Sequence, residues 1–241
     1  MKKFSILSLL LMIVGLCACV SCGYLISTAI VTSNLFQYSS IVSCDDQTVY
    51  AISMTSGTTE AELSSSKQEL QTQNGAGYIY EKDDKFYLIA SIYENFNDAE
   101  LVKNNLQTSG VKTEILTIVL EKSMVEGNFS ADEKTILTNC LKSKIETFKN
   151  LYDVAISLDT NVFDKTKAKL ECNTIYSENV STKANFDTFF KQSNNTSLQS
   201  LQSTLTATNN CLSNLISENY DTTTQTFSSL IKQTYCKILL D

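Results

Sequence analysis

The sequence contains no histidine, no proline and no tryptophan, and all 19 of its basic residues are lysine. Without histidine the chain cannot build a Ser-His-Asp triad, a histidine general base or a histidine-liganded zinc site. Without arginine it lacks the planar guanidinium group that binds phosphate and carboxylate through two parallel hydrogen bonds. The formal net charge of −7 argues against nucleic acid as a partner, because binding DNA or RNA requires a positively charged surface.

Eight cysteines are present, but their spacing predicts no metal site. Cys17, Cys19 and Cys22 lie in an apolar N-terminal run. The other five are widely scattered: Cys44, Cys140, Cys172, Cys211 and Cys236. Because no CxxC pair lies outside the apolar run, we predict neither a metal nor a cofactor. Five is an odd number, so complete pairing is impossible, and most of these residues are expected to be small buried apolar side chains.

The apolar run from residue 4 to about residue 31 predicts a membrane anchor over residues 1–33. About 20 apolar residues span a bilayer as a helix, and this run is longer. Lys2 and Lys3 precede it and the next basic residue is Lys67. The positive-inside rule therefore predicts a single-pass cell-membrane protein with a cytoplasmic N-terminus and extracytoplasmic C-terminal domains.

Two alternatives to this anchor stay open. In the first, the chain is a lipoprotein lipidated at Cys19, since Leu16 to Cys19 is close to a lipoprotein cleavage pattern. In the second, the run is a buried core helix. Residues 34–47 predict a short polar linker in either case.

Residues 49–118 carry an alternation of predicted strands and helices. Runs dense in β-branched and aromatic residues, or introduced by glycine, predict strands at 49–54, 75–80, 86–93 and 111–118. Between them, apolar residues recur at helical spacing, weakly at Ala61 and Leu70 and clearly at Ala99, Val102 and Leu106. The order β-α-β-β-α-β predicts two helices on one face of a four-stranded antiparallel sheet whose other face is open.

The second of these helices has clear boundary signals. Asn97 can cap its first N–H groups, and Glu100, three residues later, can reach back to the cap. Gly110 then supplies the left-handed conformation that ends many helices.

This region resembles the SPOR (sporulation-related repeat) domains, over about residues 48–120. The resemblance rests on the order and spacing of the predicted strands and helices rather than on one diagnostic motif. The residues that carry it are Tyr50, Ile52, Ser53 and Met54, then Gly75 to Ile79, then Phe86 to Tyr93, then Ala99, Leu106 and Gly110. The chain departs from the family pattern at Thr55 and Ser91, where the family often has glycine, and at Ser53, where it often has glutamine.

Strand alternation divides the predicted sheet into two faces. The helix-packing face takes Tyr50, Ile52, Met54, Phe86, Leu88, Ala90 and Ile92. The opposite face takes Ala51 together with five candidate glycan-binding residues: Ser53, Thr55, Tyr87, Ile89 and Ser91. Hydroxyl groups, one aromatic ring and an aliphatic side chain suit a sugar polymer, although ordinary β-propensity also supplies such a face.

The resemblance implies that this face binds peptidoglycan glycan strands lacking stem peptides. It also implies that the protein is directed to the division or sporulation septum of a bacterial cell.

The segment 130–241 predicts an all-α helical bundle, separate from the domain at 48–121. Ser130 and Glu133 form a capping box at the start of a long helix. Further helical runs are predicted at about 163–176 and near 186–190, and Asp221 is predicted to cap the last helix. One run repeats apolar residues at spacings of three and four: Leu198, Leu201, Leu205, Thr208, Leu212 and Leu215.

The fold class predicted from the sequence is thus α+β: a transmembrane helix, a ferredoxin-like SPOR domain and a helical bundle. The leading hypothesis for function is a non-catalytic, membrane-anchored glycan-binding protein. The alternative is a structural adaptor whose helical half binds an envelope protein partner. A wall-degrading enzyme comes third, because the candidate carboxylates Glu146, Glu171 and Glu178 form no evident catalytic pair.

Overall fold

The computed structural model describes residues 40–217 and 225–241, which form six strands and six helices of an α+β fold. The strands are β1 (Ser40–Ser43), β2 (Gln47–Gly57), β3 (Tyr78–Lys82), β4 (Lys85–Tyr93), β5 (Glu114–Leu120) and β6 (Met124–Gly127). The helices are α1 (Glu60–Thr72), α2 (Phe96–Thr108), α3 (Ala131–Asp159), α4 (Lys165–Phe190), α5 (Thr196–Ser217) and α6 (Phe227–Leu240).

The predicted fold class, which combined a transmembrane helix, a ferredoxin-like domain and a separate helical bundle, is wrong. Within residues 40–217 and 225–241, no helix is both long and apolar enough to cross a bilayer. The anchor predicted over residues 1–33 lies outside the described residues. The predicted linker at 34–47 contains strand β1 rather than only irregular chain. Residues 41–241 form one compact unit, so the segments 48–121 and 130–241 share a single body.

Four strands form an antiparallel sheet in the order β3-β4-β2-β5, and β1 pairs with β6 in a separate two-stranded sheet. Strand β2 is central and long. It pairs with β5 without interruption from Gln47 opposite Leu120 to Ser53 opposite Glu114. Its pairing with β4 shifts register after Ile52 and again after Ser53. Such irregularities increase the local twist of a strand.

Helices α1 and α2 cover one face of the sheet, which includes Leu88 and Ala90 as alternation predicted. Ile92, assigned to the same face, is instead buried with Ile89 on the other. Leu63 and Leu70 of α1 are buried against Leu88 of β4, while Ala61 is exposed. Helix α2 begins two residues earlier than predicted, because Asn95 rather than Asn97 is its N-cap and accepts a bond from the Asn97 N–H. Capping depends on backbone geometry, which a local pattern of polar residues places only to within a few positions.

Two glycines take the left-handed conformation at the ends of these helices. Gly110 has a φ of 83° and follows α2 as predicted. Gly77 has a φ of 59° between α1 and β3, so β3 begins at Tyr78 instead of residue 75. A side chain at Gly77 would also meet the Gln71 side chain at 2.5 Å. Glycine is therefore required at this turn for two independent reasons.

The helical half follows the sequence pattern in its capping and apolar stripes, but not in its number of helices. The Ser130–Glu133 capping box is formed. The runs predicted at 163–176 and 186–190 are one continuous helix, α4. Asp221 lies outside the described residues, and Thr226 is the N-cap of α6. All six residues of the predicted α5 stripe are buried: Leu198, Leu201, Leu205, Thr208, Leu212 and Leu215.

The main hydrophobic core is shared between the sheet and the helical half. Val49 and Ala51 of β2 and Ile89 of β4 belong to the same buried cluster as Phe148 of α3 and Tyr235 of α6. Since Leu88 and Ile89 point to opposite faces, the sheet lies between α1 and α2 on one side and α6 with α3 on the other. The molecule therefore has a helical layer on both faces of its sheet.

Candidate functional site

The sheet face that the sequence predicted to be open is covered. Ser53 and Ile89 have no exposed surface, and Ser91 is 8% exposed. The Ser53 hydroxyl donates to the backbone carbonyl of Thr55 at 3.1 Å, so it is satisfied within its own strand. Tyr87 is half-buried against the main core, and Thr55 is exposed near the end of β2. Three of the five candidate glycan-binding residues thus cannot contact a polymer.

Helix α6 provides the cover. Its Tyr235 hydroxyl lies 2.7 Å from the Ser91 hydroxyl, in a buried hydrogen bond between helix and sheet. The Tyr235 ring meets the Phe148 ring edge-on, with centroids 5.3 Å apart. Burial raises the pKa of Tyr235 well above its ordinary value, because the phenolate would have to form without water. The contact is a dry, aromatic interior rather than a binding surface.

Further bonds hold the start of α6 to the loop before β3. The Ser229 hydroxyl donates to the Gly75 carbonyl at 2.6 Å. The Lys232 ammonium donates to the Asn74 carbonyl at 2.8 Å and also forms an ion pair with Asp159 of α3. Side chains of α6 therefore bind both the sheet layer and α3, which fixes the helix over the sheet.

The alternation predicted for β4 fails at Ile92, which was assigned to the face of Leu88 but is buried with Ile89 on the other face, because the pairing of β2 with β4 is irregular there. The environment of the second face was also predicted wrongly, since that face is covered and not open. Alternating side chains show that two faces differ, but a face of Ala, Ser and Ile can meet either water or another helix. The residues that decide this lie far away in sequence, on the apolar face of α6, where Tyr235 is 144 residues from Ser91. A local pattern does not show where such a helix packs.

A cavity of about 710 Å³ lies where the helical half meets the edge of the sheet; we call it the junction cavity. It is bounded by residues of strands β2, β3, β5 and β6 and of helices α3, α5 and α6. Its apolar lining includes Ile118, Leu120, Val125, Leu141, Ile145 and Leu201. Its volume falls within the range of about 300–1,000 Å³ that is typical of sites for small molecules. It is thus large enough for a ligand of that class.

Lys144 of α3 is the half-buried charge in this cavity. Burial lowers the pKa of its ammonium group, and the Asp241 carboxylate partly offsets that effect. Among the described residues no carboxylate lies within 4.0 Å of the Lys144 ammonium, and it makes no hydrogen bond. The other charged residues that line the cavity are exposed: Asp45, Glu121, Lys122 and Asp241.

Asp241 is already engaged by two partners. Its carboxylate accepts a hydrogen bond from the Tyr78 hydroxyl and lies 3.6 Å from the Lys237 ammonium. Burial and then the Asp241 carboxylate raise the pKa of Tyr78, so this tyrosine remains a neutral donor. Asp241 therefore stabilises the end of α6 against β3, while Lys144 is left without a close counter-charge.

A smaller cavity of about 340 Å³ lies beside Tyr78 and Leu230. Glu60, Lys67 and Lys237 line it, together with the half-buried Cys211. Lys237 is exposed and paired with Asp241, whereas Lys67 is half-buried and forms no ion pair with any described residue. The two cavities therefore differ mainly in size, and this one has less than half the volume of the junction cavity. The junction cavity is the better candidate.

The carboxylates considered for catalysis lie apart from both cavities. Glu146 and Glu178 are exposed on α3 and α4, and Glu171 forms an ion pair with Lys167. No group of three potential metal ligands occurs in the part of the chain that the structure describes. The five cysteines of that part are all free, and Cys140, Cys172 and Cys236 are buried. Burial raises the pKa of Cys140, in the junction cavity, to about 11, which leaves its thiol protonated.

The sequence did carry a signal for Lys144 that was not used. The apolar stripe of α3 runs through Cys140, Leu141 and Phe148, and Lys144 lies three or four residues from each of them. At helical spacing Lys144 therefore falls on the apolar face, where a charge is out of place. What the sequence cannot show is that a cavity opens at that point.

Comparison with known proteins adds no assignment. No family model matches the chain, and no curated protein and no solved structure shows significant similarity to it. The resemblance to SPOR domains stays a prediction.

Proposed function

We propose that this protein is a non-catalytic binding protein whose ligand site is the junction cavity. The observation that carries the proposal is the half-buried Lys144, which faces a cavity of about 710 Å³ without a close counter-charge. In this proposal the helical half has two roles. It completes the core over the sheet, and it supplies one side of the binding site.

Placing a charge in a partly buried position has an energetic cost. An ammonium group removed from water without a partner destabilises the folded state, and stability alone gives no reason to keep it. The exposed lysines of the same helix, such as Lys142 and Lys149, bear no such cost. The presence of an unpaired charge in a cavity is explained if a ligand of opposite charge binds there and pairs with it.

The peptidoglycan hypothesis loses its main support, because α6 covers Ser53, Ile89 and Ser91. Septal targeting and glycan binding remain untested predictions from the resemblance. Binding of the full chain to amidase-treated sacculi tests them. On our proposal the protein is recovered equally from treated and untreated sacculi, and strong enrichment on treated sacculi would contradict it.

The absence of tryptophan offers a direct test of the cavity. Ser200 lines the junction cavity and is exposed on α5, so Ser200→Trp places a single indole at its rim. Ser203→Trp is the matched control, because Ser203 is exposed on the same helix but does not line the cavity. Tryptophan can be excited beyond the tyrosine absorption band, so the emission of each variant reports on one location.

The experiment screens the two full-length variants against a library of small fragments of mixed charge. We expect some fragments to change the emission of Ser200→Trp in a saturable manner and to leave Ser203→Trp unchanged. A library in which no fragment changes Ser200→Trp, or in which every active fragment changes both variants equally, would refute the junction cavity as a binding site.

A further inference from the structure

We infer that the ligand of the junction cavity is an amphiphile, with one anionic head group beside Lys144 and an apolar chain along the walls of the cavity. This inference rests on the proposed function and adds the chemical class of the ligand. It follows from three features of the cavity: the position of its positive charge, the polar groups on the facing helix, and the composition of its walls.

Lys144 is the least exposed of the charged residues that line the cavity. Lys144 is half-buried, whereas the carboxylates of Asp45, Glu121 and Asp241 are exposed. Electrostatic attraction is stronger where water is partly excluded, so a half-buried ammonium acts on a ligand more strongly than exposed carboxylates do. An anion beside Lys144 gains a charge-assisted hydrogen bond that no described side chain now provides.

Helix α5 contributes hydroxyl groups to the same cavity. Ser197, Ser200 and Thr204 all line it, at spacings of three and four residues that place them on one side of the helix. The Thr204 hydroxyl donates to the Ser200 carbonyl at 3.2 Å. The Ser197 and Ser200 hydroxyls can donate to the oxygens of a carboxylate or phosphate head group. The polar contacts therefore favour an acceptor-rich, anionic group.

The walls beyond these groups are apolar. Leu141 and Ile145 flank Lys144 on α3, and Ile118, Leu120 and Leu201 come from β5 and α5. Each methylene group that a ligand buries against them contributes about 0.8 kcal/mol. A small hydrophilic anion such as inorganic phosphate would leave these walls in contact with water. A neutral apolar compound would leave Lys144 unpaired, so the amphiphile fits both parts of the cavity.

Because the surface around the cavity is acidic, an anionic ligand is attracted only where its head group lies close to Lys144. The chain carries a net charge of −7, and exposed carboxylates lie at the cavity. Asp241 is occupied by Tyr78 and Lys237, which weakens its competition for the ligand. A cationic amphiphile would be attracted to the exposed carboxylates, but its head group would be repelled by Lys144.

The test compares three compounds with the same apolar chain: decanoate, decanol and decyltrimethylammonium. Binding to the full chain is measured by isothermal titration calorimetry in detergent-free buffer, since a detergent is itself an amphiphile. Lys144→Met retains the length of the side chain and removes its charge. Lys142→Met is the matched control, because Lys142 is exposed on the same helix and does not line the cavity.

We expect decanoate to bind more tightly than the other two compounds. Lys144→Met should weaken decanoate binding by at least about tenfold, the loss expected for one charge-assisted hydrogen bond, and leave decanol binding unchanged. Lys142→Met should change neither. Because Lys144→Met removes an unpaired buried charge, its midpoint of thermal unfolding should equal or exceed that of the wild type, which shows that the variant is folded.

The inference is overturned if decanoate binds the wild type and Lys144→Met equally, if decyltrimethylammonium binds most tightly, or if none of the three compounds binds. If the fragment screen nevertheless shows binding at Ser200→Trp, the junction cavity remains a ligand site of another specificity. If both experiments show no binding, the proposed function fails as well.

Discussion

The buried hydrogen bond between Tyr235 and Ser91 gives the most direct test of the covered sheet. The two hydroxyls lie 2.7 Å apart, and Tyr235 has no exposed surface. Tyr235→Phe retains the ring and leaves the Ser91 hydroxyl buried without this partner. Because the Ser91 hydroxyl also has the Tyr93 side chain as a partner, the expected cost is that of one lost hydrogen bond, and we expect Tyr235→Phe to lower the free energy of unfolding by about 0.5–1.5 kcal/mol. Ser91→Ala should have a similar effect, since the Tyr235 hydroxyl then loses this bond and retains its contact with the Ile92 backbone.

The double variant, with both Tyr235→Phe and Ser91→Ala, isolates the contribution of the bond between the two hydroxyls. This bond is lost in each single variant but only once in the double variant, so the double variant should lose less free energy of unfolding than the two single variants together. We expect a coupling free energy of about 1 kcal/mol. Tyr152→Phe is the matched control: it belongs to the same aromatic cluster, its centroid lying 6.3 Å from that of Tyr235, and its hydroxyl bonds to no described side chain. This control should change stability by less than about 0.5 kcal/mol.

Urea unfolding of the full-length variants, followed by circular dichroism, measures these free energies. The coupling is meaningful only if the slope against urea concentration is the same for all four proteins. If both single variants match the wild type and the coupling is zero, then α6 does not lie against the sheet. The second face would in that case be open, and the glycan-binding prediction for Ser53, Ile89 and Ser91 would regain its basis.

Three further predictions concern stability and reactivity. Burial raises the pKa of Tyr235 and Cys236 above their values in the unfolded chain, so their contribution to stability is complete at neutral pH and is lost as the pH rises above about 9–10. The midpoint of thermal unfolding should therefore fall between pH 8 and pH 11. A constant midpoint over this range would contradict the burial of α6. Ser130→Ala removes the N-cap of α3 and should cost about 1 kcal/mol, measured by urea unfolding, whereas Ser130→Asp should restore most of that loss. Iodoacetamide should modify the half-buried Cys44 before the buried Cys172, whose pKa is raised to about 12 by burial; peptide mass spectrometry that shows the reverse order would contradict the structure.

The elements that the sequence predicted correctly are those decided by neighbouring residues. The capping box of α3 needs only Ser130 and Glu133, three positions apart, and the α5 stripe needs only a spacing of three and four. The strands of the four-stranded sheet were placed to within a few residues, because β-branched and aromatic side chains are concentrated there. Each of these features is a local property of the chain.

The features that the sequence could not supply depend on distant contacts. Ser91 and Tyr235 are separated by 144 residues, and nothing near Ser91 indicates a phenol above it. The break expected between about 176 and 186 does not occur, because the interior residues Asn179 and Thr147 bond to each other at 3.0 Å and continue the packing of α4 against α3. The junction cavity is likewise formed by residues of seven separate elements, so no single segment encodes it.

The covered sheet also changes what the SPOR resemblance can imply. A ligand that binds the second face must first displace α6, which buries Tyr235 and Cys236 completely. Losing the packing of even one large aromatic residue costs about 3–5 kcal/mol, and the apparent affinity falls by the fraction of molecules that are open. An opening free energy of that size weakens binding by a factor of about a hundred to several thousand. A site that is already formed in the closed molecule bears no such penalty, and this is the physical reason to place the ligand at Lys144 rather than on the sheet.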